Sequence, residues 1–189
     1  MNSFKTAVAV VTAALLAHTA AADPPAKAGG PPPVKAFAPK GAGFSVAFPG
    51  KPTPATKEVA LPDGGSLTIK CYVHEQADKD NVMLVAIAEL PAGAVEDVDG
   101  ALDGAVVGFA EAVGVDTPES KAVVLNGHPG RAFEFEVEGK GKVRGRVYLA
   151  NGRLYQVAAA GQGEFATGDA ATQFLKSFKL TGPAGKRGD

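Results

Sequence analysis

The chain has 189 residues, 46% of them hydrophobic, with 19 Lys and Arg against 20 Asp and Glu, 24 Gly, 14 Pro and one Cys. A formal net charge of -1 lacks the basic excess by which a domain holds nucleic acid or anionic lipid, so neither is an expected partner. One Cys closes no intramolecular disulfide and gives no cysteine cluster for zinc or iron–sulfur, so no cofactor is expected and the fold rests on its core.

The N-terminus reads as a cleavable secretory signal. Lys5 precedes an apolar run from Ala7 to Ala17, and Ala20-Ala21-Ala22 supplies small residues before Asp23. Residues 1–22 are the expected signal peptide, cleaved after Ala22, which places the chain in the periplasm or outside the cell. The apolar run falls short of the roughly 20 residues that span a bilayer, so no stable membrane insertion is expected after cleavage. Residues 23–41 form a Pro/Ala/Gly-rich linker, residues 42–181 a single domain, and residues 182–189 a disordered tail. The tail ends in Arg187-Gly188-Asp189, a tripeptide that integrins read in some adhesion proteins but that arises often by chance.

Within the domain, Phe44, Val46 and Phe48 share one face of a first strand that Pro49-Gly50 ends. Pro62-Asp63-Gly64-Gly65 reads as the turn of a hairpin. In its second strand Leu67, Ile69, Cys71 and Val73 alternate with Thr68, Lys70, Tyr72 and His74, so the apolar set faces the core and the polar set faces out. Cys71 on an apolar face is expected to be a buried, unreactive thiol. Asp78-Lys79-Asp80-Asn81 is a solvated turn, and the unbroken apolar run Val82 to Ala88 is a central strand covered on both faces.

Asp97 to Val113 is the clearest helix, with Val98, Leu102, Val106, Phe109 and Val113 on one stripe. Glu96, Asp97, Asp99 and Asp103 lie near its start without the ligand order of a calcium loop, so they are expected to complement the helix dipole. Beyond it, Glu134, Glu136 and Glu138 alternate with Phe133, Phe135 and Val137, and the basic run Lys140, Lys142, Arg144 and Arg146 follows. A hairpin through Gly139-Lys140-Gly141 would set Glu138 against Lys142, Glu136 against Arg144, Glu134 against Arg146, and Phe135 over Gly145. Asn151-Gly152 is a two-residue hairpin turn, which pairs Tyr148 with Tyr155 and implies an apolar cover on that face. Phe174, Leu175 and Phe178 form the apolar face of a closing helix.

The segments Gly43-Phe44-Ser45-Val46-Ala47-Phe48-Pro49, Gly127-His128-Pro129-Gly130-Arg131, Arg153-Leu154-Tyr155 and Phe174-Leu175-Lys176-Ser177-Phe178, in this order, resemble the PsbP/Mog-like superfamily, in particular its secreted bacterial branch. The resemblance runs from Ala42 to Leu180. It implies an α+β fold, an antiparallel β-sheet flanked by helices as an α/β/α sandwich, and a non-catalytic accessory or binding role. Photosynthetic members stabilise a membrane enzyme and its ion cofactors, but no motif here carries metal-handling residues over, and no metal site is expected.

Catalytic signatures are missing as well: there is no G-x-S-x-G, H-E-x-x-H, phosphate-binding or dinucleotide-binding glycine motif. His74 lies on the outward parity of its strand and His128 in an Asn-Gly-His-Pro-Gly turn, so both are expected to be solvated. His128 with Arg131, on a polar loop held by Pro129-Gly130, is the candidate binding pair. The expected function is a secreted accessory or protein-interaction module with an envelope protein as partner. The alternative is a small-ligand-binding protein or an enzyme whose site is assembled only in three dimensions. Oligomeric state is not legible in the sequence.

Overall fold

Among the described residues, four strands, a helix, four strands and a second helix follow one another, the strand straight after the first helix being one that the sequence patterns do not mark. They are β1 (Phe44–Ser45), β2 (Thr53–Ala60), β3 (Ser66–Gln76), β4 (Asn81–Glu89), α1 (Val98–Val113), β5 (Ser120–Leu125), β6 (His128–Val137), β7 (Gly141–Ala150), β8 (Arg153–Gly161) and α2 (Asp169–Ser177), with a short β9 (Lys179–Leu180) after it. The computed structural model describes residues 36–60, 66–76, 81–91, 93–116 and 119–182. The expected signal peptide, most of the linker, the Pro62-Asp63-Gly64-Gly65 and Asp78-Lys79-Asp80 turns, and Arg187-Gly188-Asp189 lie outside the described residues.

Seven strands form one sheet in the order β2-β3-β4-β8-β7-β6-β5, with every neighbouring pair antiparallel, while β1 pairs with β9 apart from it. β4, the strand expected to be covered on both faces, lies between β3 and β8 and is buried from Asn81 through Ala88.

One face is covered by α1. Asp97 caps the helix, its Oδ1 accepting from the Gly100 N–H at 3.0 Å, and a Cβ at Gly100 would strike the capping carboxylate. Such a cap contributes about 1 kcal/mol. At the other end Gly114 takes φ +87° and donates to the Glu111 carbonyl, which closes the last turn. The stripe Leu102, Ala105, Val106 and Phe109 is buried against Leu67, Ile69, Cys71, Leu84, Phe133, Val147 and Leu154 of the sheet. The Phe109 ring meets that of Phe133 at 5.2 Å.

The opposite face is covered by α2 together with the segment that leads into β2. Phe44, Val46 and Phe48 are all buried there, with Ala171, Phe174, Leu175 and Phe178 from the C-terminal part. Phe37 joins this layer, bridging to Val46 and setting its ring 5.1 Å from that of Tyr72. Tyr148 and Tyr155 are paired as expected, and Phe178 covers both, stacking on Tyr148 at 5.8 Å. The expected sandwich therefore needs adjustment. A helix lies on each face, but α2 has 9 residues and most of its layer is non-helical chain, so the sheet dominates. For the same reason the polar parity of β3 does not face open water: Tyr72 packs on Phe37 and Phe44, and His74 is half-buried.

The β6–β7 register departs from expectation by two residues. Glu136 stands opposite Lys142, Glu134 opposite Arg144, Phe135 opposite Val143 and Phe133 opposite Gly145. The turn explains the shift. The Val137 carbonyl accepts from the Lys140 N–H at 3.0 Å, and Gly139 and Gly141 take φ +71° and +92°, so the loop is Glu138-Gly139-Lys140 rather than Gly139-Lys140-Gly141. Parity survives the slip, and so does the aromatic cover of Gly145, now supplied by Phe133. Lys142 and Arg144 still meet acids, at 3.7 Å from Glu136 and 3.6 Å from Glu134. Arg146 instead stands across from Ala132. The Asn151-Gly152 turn forms as expected, with φ +52° and +72° and Ala150 opposite Arg153.

Candidate functional site

The segment expected to form a polar loop is mostly strand. Asn126 and Gly127, at φ +52° and +81°, make a two-residue turn, and His128, Pro129, Gly130 and Arg131 already belong to β6. A Cβ at Gly130 would strike the Tyr148 ring and the Val147 carbonyl, so this glycine serves close packing. His128 is 4% exposed, which corrects the expectation of a solvated imidazole. It pairs across from Leu125, whose side chain packs on the α2 face. Arg131, three residues on, points to the α1 face. The structure thus does not bring the candidate pair together, because the sheet lies between them.

Arg131 is bound instead to α1. Its Nε donates to Asp103 Oδ1 at 2.6 Å and its Nη2 to Asp99 Oδ1 at 2.8 Å, with Nη1 on the Gly130 carbonyl at 3.3 Å. The two carboxylates are four residues apart on one helix face, so a planar guanidinium can take both. These bonds raise the Arg131 pKa further, hydrogen bonding to Asp103 first and Asp99 second. The acids read from sequence as dipole partners therefore divide their work: Asp97 caps, while Asp99 and Asp103 tie α1 to β6. The Arg131 side chain is 12% exposed while both acids are largely in water, so the clamp contributes about 1 kcal/mol and chiefly sets the helix position.

Arg131 also stands in a row that crosses the whole α1 face. The strand pairings align Ala122, Arg131, Val147, Gln156, Ala86, Cys71 and Ala55, one from each strand in sheet order from β5 to β2. Cys71 is buried among Leu67, Ile69 and Val73, and desolvation pushes its thiol up to about 11, opposed weakly by Lys57. It is the inert structural thiol that the strand alternation implies. Gln156 was not singled out from sequence. Its side chain is 2% exposed, and neither Oε1 nor Nε2 has a hydrogen-bond partner. Its signal was one polar residue on the apolar parity between Leu154 and Ala158.

On the α2 face, burial lowers the His74 pKa, partly offset by a hydrogen bond with the Lys51 backbone, and the ring lies against Gly50. Arg153 Nη1 donates to the Gly41 carbonyl at 2.8 Å and its Nη2 to Glu89 at 3.3 Å, while Tyr155 Oη donates to the Ala42 carbonyl at 3.2 Å. These bonds fasten the N-terminal segment onto the sheet. Among the described residues no group of three His, Cys, Asp or Glu is placed to hold a metal ion, and no helix is long and apolar enough to cross a membrane.

No family model and no curated protein matches the chain. A solved structure does: the cyanobacterial PsbP (CyanoP) from Synechocystis sp. PCC 6803, with a TM-score of 0.52 at 13% identity, covering 82% of this chain and 98% of that one. At this identity the likeness concerns the fold. The chain has a PsbP-like fold, in its described residues a mostly antiparallel sheet with two helices.

Proposed function

We propose that the chain is a secreted, non-catalytic accessory module of the bacterial cell envelope, built on the PsbP/Mog-like sandwich plan and acting through a protein partner. One observation carries this reading. On a PsbP-like fold, the described cysteine, the described histidines and Arg131 are divided by the sheet and engaged in packing. Cys71 and Arg131 lie on the α1 face, His74 and His128 on the α2 face, and Arg131 is spent on holding α1. Acid–base or nucleophilic catalysis needs such groups within hydrogen-bond reach of one reacting atom. Export rests on the signal-like residues 1–22, with cleavage after Ala22 releasing Asp23 as the new N-terminus and residues 23–41 as a spacer.

The test is expression with export in a bacterial host, intact mass of the released protein, then crosslinking and affinity capture from envelope extract. The expected results are a chain beginning at Asp23 and one protein recovered in fixed stoichiometry. Retention of residues 1–22 would overturn export. A small molecule that co-purifies with the folded chain while no protein is captured would overturn the accessory reading in favour of ligand binding.

A further inference from the structure

The two edges of the seven-stranded sheet are built differently. β2 carries Pro54, Lys57 and Glu58, residue types that deny a hydrogen bond to an added strand or repel it. β5 reads Ser-Lys-Ala-Val-Val-Leu, with one charge and no proline, and its Val124 is 72% exposed, the most exposed large hydrophobic residue among those described. An edge of this kind is a template for another strand. Its geometry is also open. The two-residue turn at Asn126-Gly127 makes Leu125 and His128 the closing hydrogen-bonded pair. Alternation along β5 then turns the N–H and C=O groups of Ser120, Ala122 and Val124 away from β6.

The geometry points to a second copy of this chain as the occupant, its β5 pairing antiparallel with this one across a two-fold axis at Val123. The strand is self-complementary in that register. Ala122 and Val124 each face the other in the second copy, and both direct backbone groups toward it. Val123 meets its own copy, and the stem of Lys121 lies along Leu125. The two Lys121 positions lie about 13 Å apart along the strands at 3.3 Å per residue, more than the roughly 8 Å over which exposed charges act at physiological salt. A two-fold contact of this type is closed, so association stops at two chains joined through one continuous sheet. β2, the other edge, stays guarded. This dimer goes beyond the accessory reading and stands or falls without it.

Sedimentation equilibrium of the exported protein over a wide concentration range tests the proposal, with hydrogen exchange at low and high concentration to locate the contact. Two variants separate pairing from folding. Ala122→Pro removes an outward N–H and no bond to β6, and Val124→Lys places a charge on an exposed position. The expected results are a mass of two chains for the wild type, slowed exchange at Ser120, Ala122 and Val124 on raising concentration, and dimer dissociation constants at least about tenfold weaker in both variants, with unchanged far-UV circular dichroism. A chain that stays monomeric throughout overturns the inference. So does a dimer that survives both substitutions, or a monomeric chain whose β5 amides are protected by a different protein.

Discussion

Replacing Gln156 by Met should make the protein more stable, although a buried core residue is being changed. Both side chains are unbranched with three rotatable bonds and similar volume, so the substitution opens no cavity of consequence and forces no overpacking. What changes is the carboxamide. In the wild type it lies between Val147 and Ala86 under α1, 2% exposed and with neither polar atom bonded. Burying an amide without a partner costs about 1–3 kcal/mol in proteins, and the thioether removes that cost while keeping the contacts. The expected gain is therefore about 1–3 kcal/mol, or roughly 2–12 °C in Tm for a chain of this size. Urea unfolding at neutral pH measures it, as a raised midpoint with an unchanged slope. Gln156→Ala is the control, since it removes the amide but leaves a cavity and should be less stable than the Met variant. A Met variant less stable than wild type would refute the reasoning and show that the native amide is engaged.

Cys71 makes the fold sensitive to alkali. Its thiol titrates at 9.0 when unperturbed and at about 11 in the fold, so the unfolded chain loses its proton first. Stability is then complete below pH 9 and falls by about 1.4 kcal/mol per pH unit from there up to the folded value. Urea midpoints measured from pH 8 to pH 11 should show that loss in the wild type and a much flatter profile in Cys71→Val. Arg131→Ala should cost about 1 kcal/mol and speed hydrogen exchange along α1 more than in the sheet, whereas an equal effect everywhere would deny the clamp. Gly43→Ala should cost about 1–3 kcal/mol, because φ is +73° and a Cβ there would lie 2.6 Å from the Tyr155 hydroxyl. Gly152→Ala, at φ +72° with open space around it, should cost less, and equal urea midpoints for the two would remove the role assigned to the Tyr155 contact.

The contrast between what was legible in the sequence and what was not follows from the periodicity of a strand. Alternation fixes which face a residue takes, so Leu67, Ile69, Cys71 and Val73 are buried as read, and Asn151-Gly152 fixes the Tyr148–Tyr155 pair because one turn type suits both residues. A slip of two residues leaves every face unchanged, so the hydrophobic pattern of β6 and β7 could not decide their register. That choice belonged to the turn, where Gly139 and Gly141 each accept a positive φ and two loops fit the same sequence. The β5–β6 turn was legible in principle, since Asn126-Gly127 is the stronger signal, but reading it together with His128-Pro129-Gly130 placed a buried histidine in water. The Arg131 clamp was out of reach for another reason: its acids are 28 and 32 residues away, and no local pattern pairs them.

The row across the α1 face is spaced by the strands that carry it. Arg131, Gln156 and Cys71 are separated from one another by Val147 and by Ala86, and strands spaced about 4.8 Å apart put alternate members of the row nearly 10 Å apart. The strand pairings set those backbone spacings, and moving α1 would not change them. The surface differs from place to place: one edge strand is guarded by Pro54, Lys57 and Glu58, and the other presents Val124. An edge of the second kind can accept an added strand through backbone pairing.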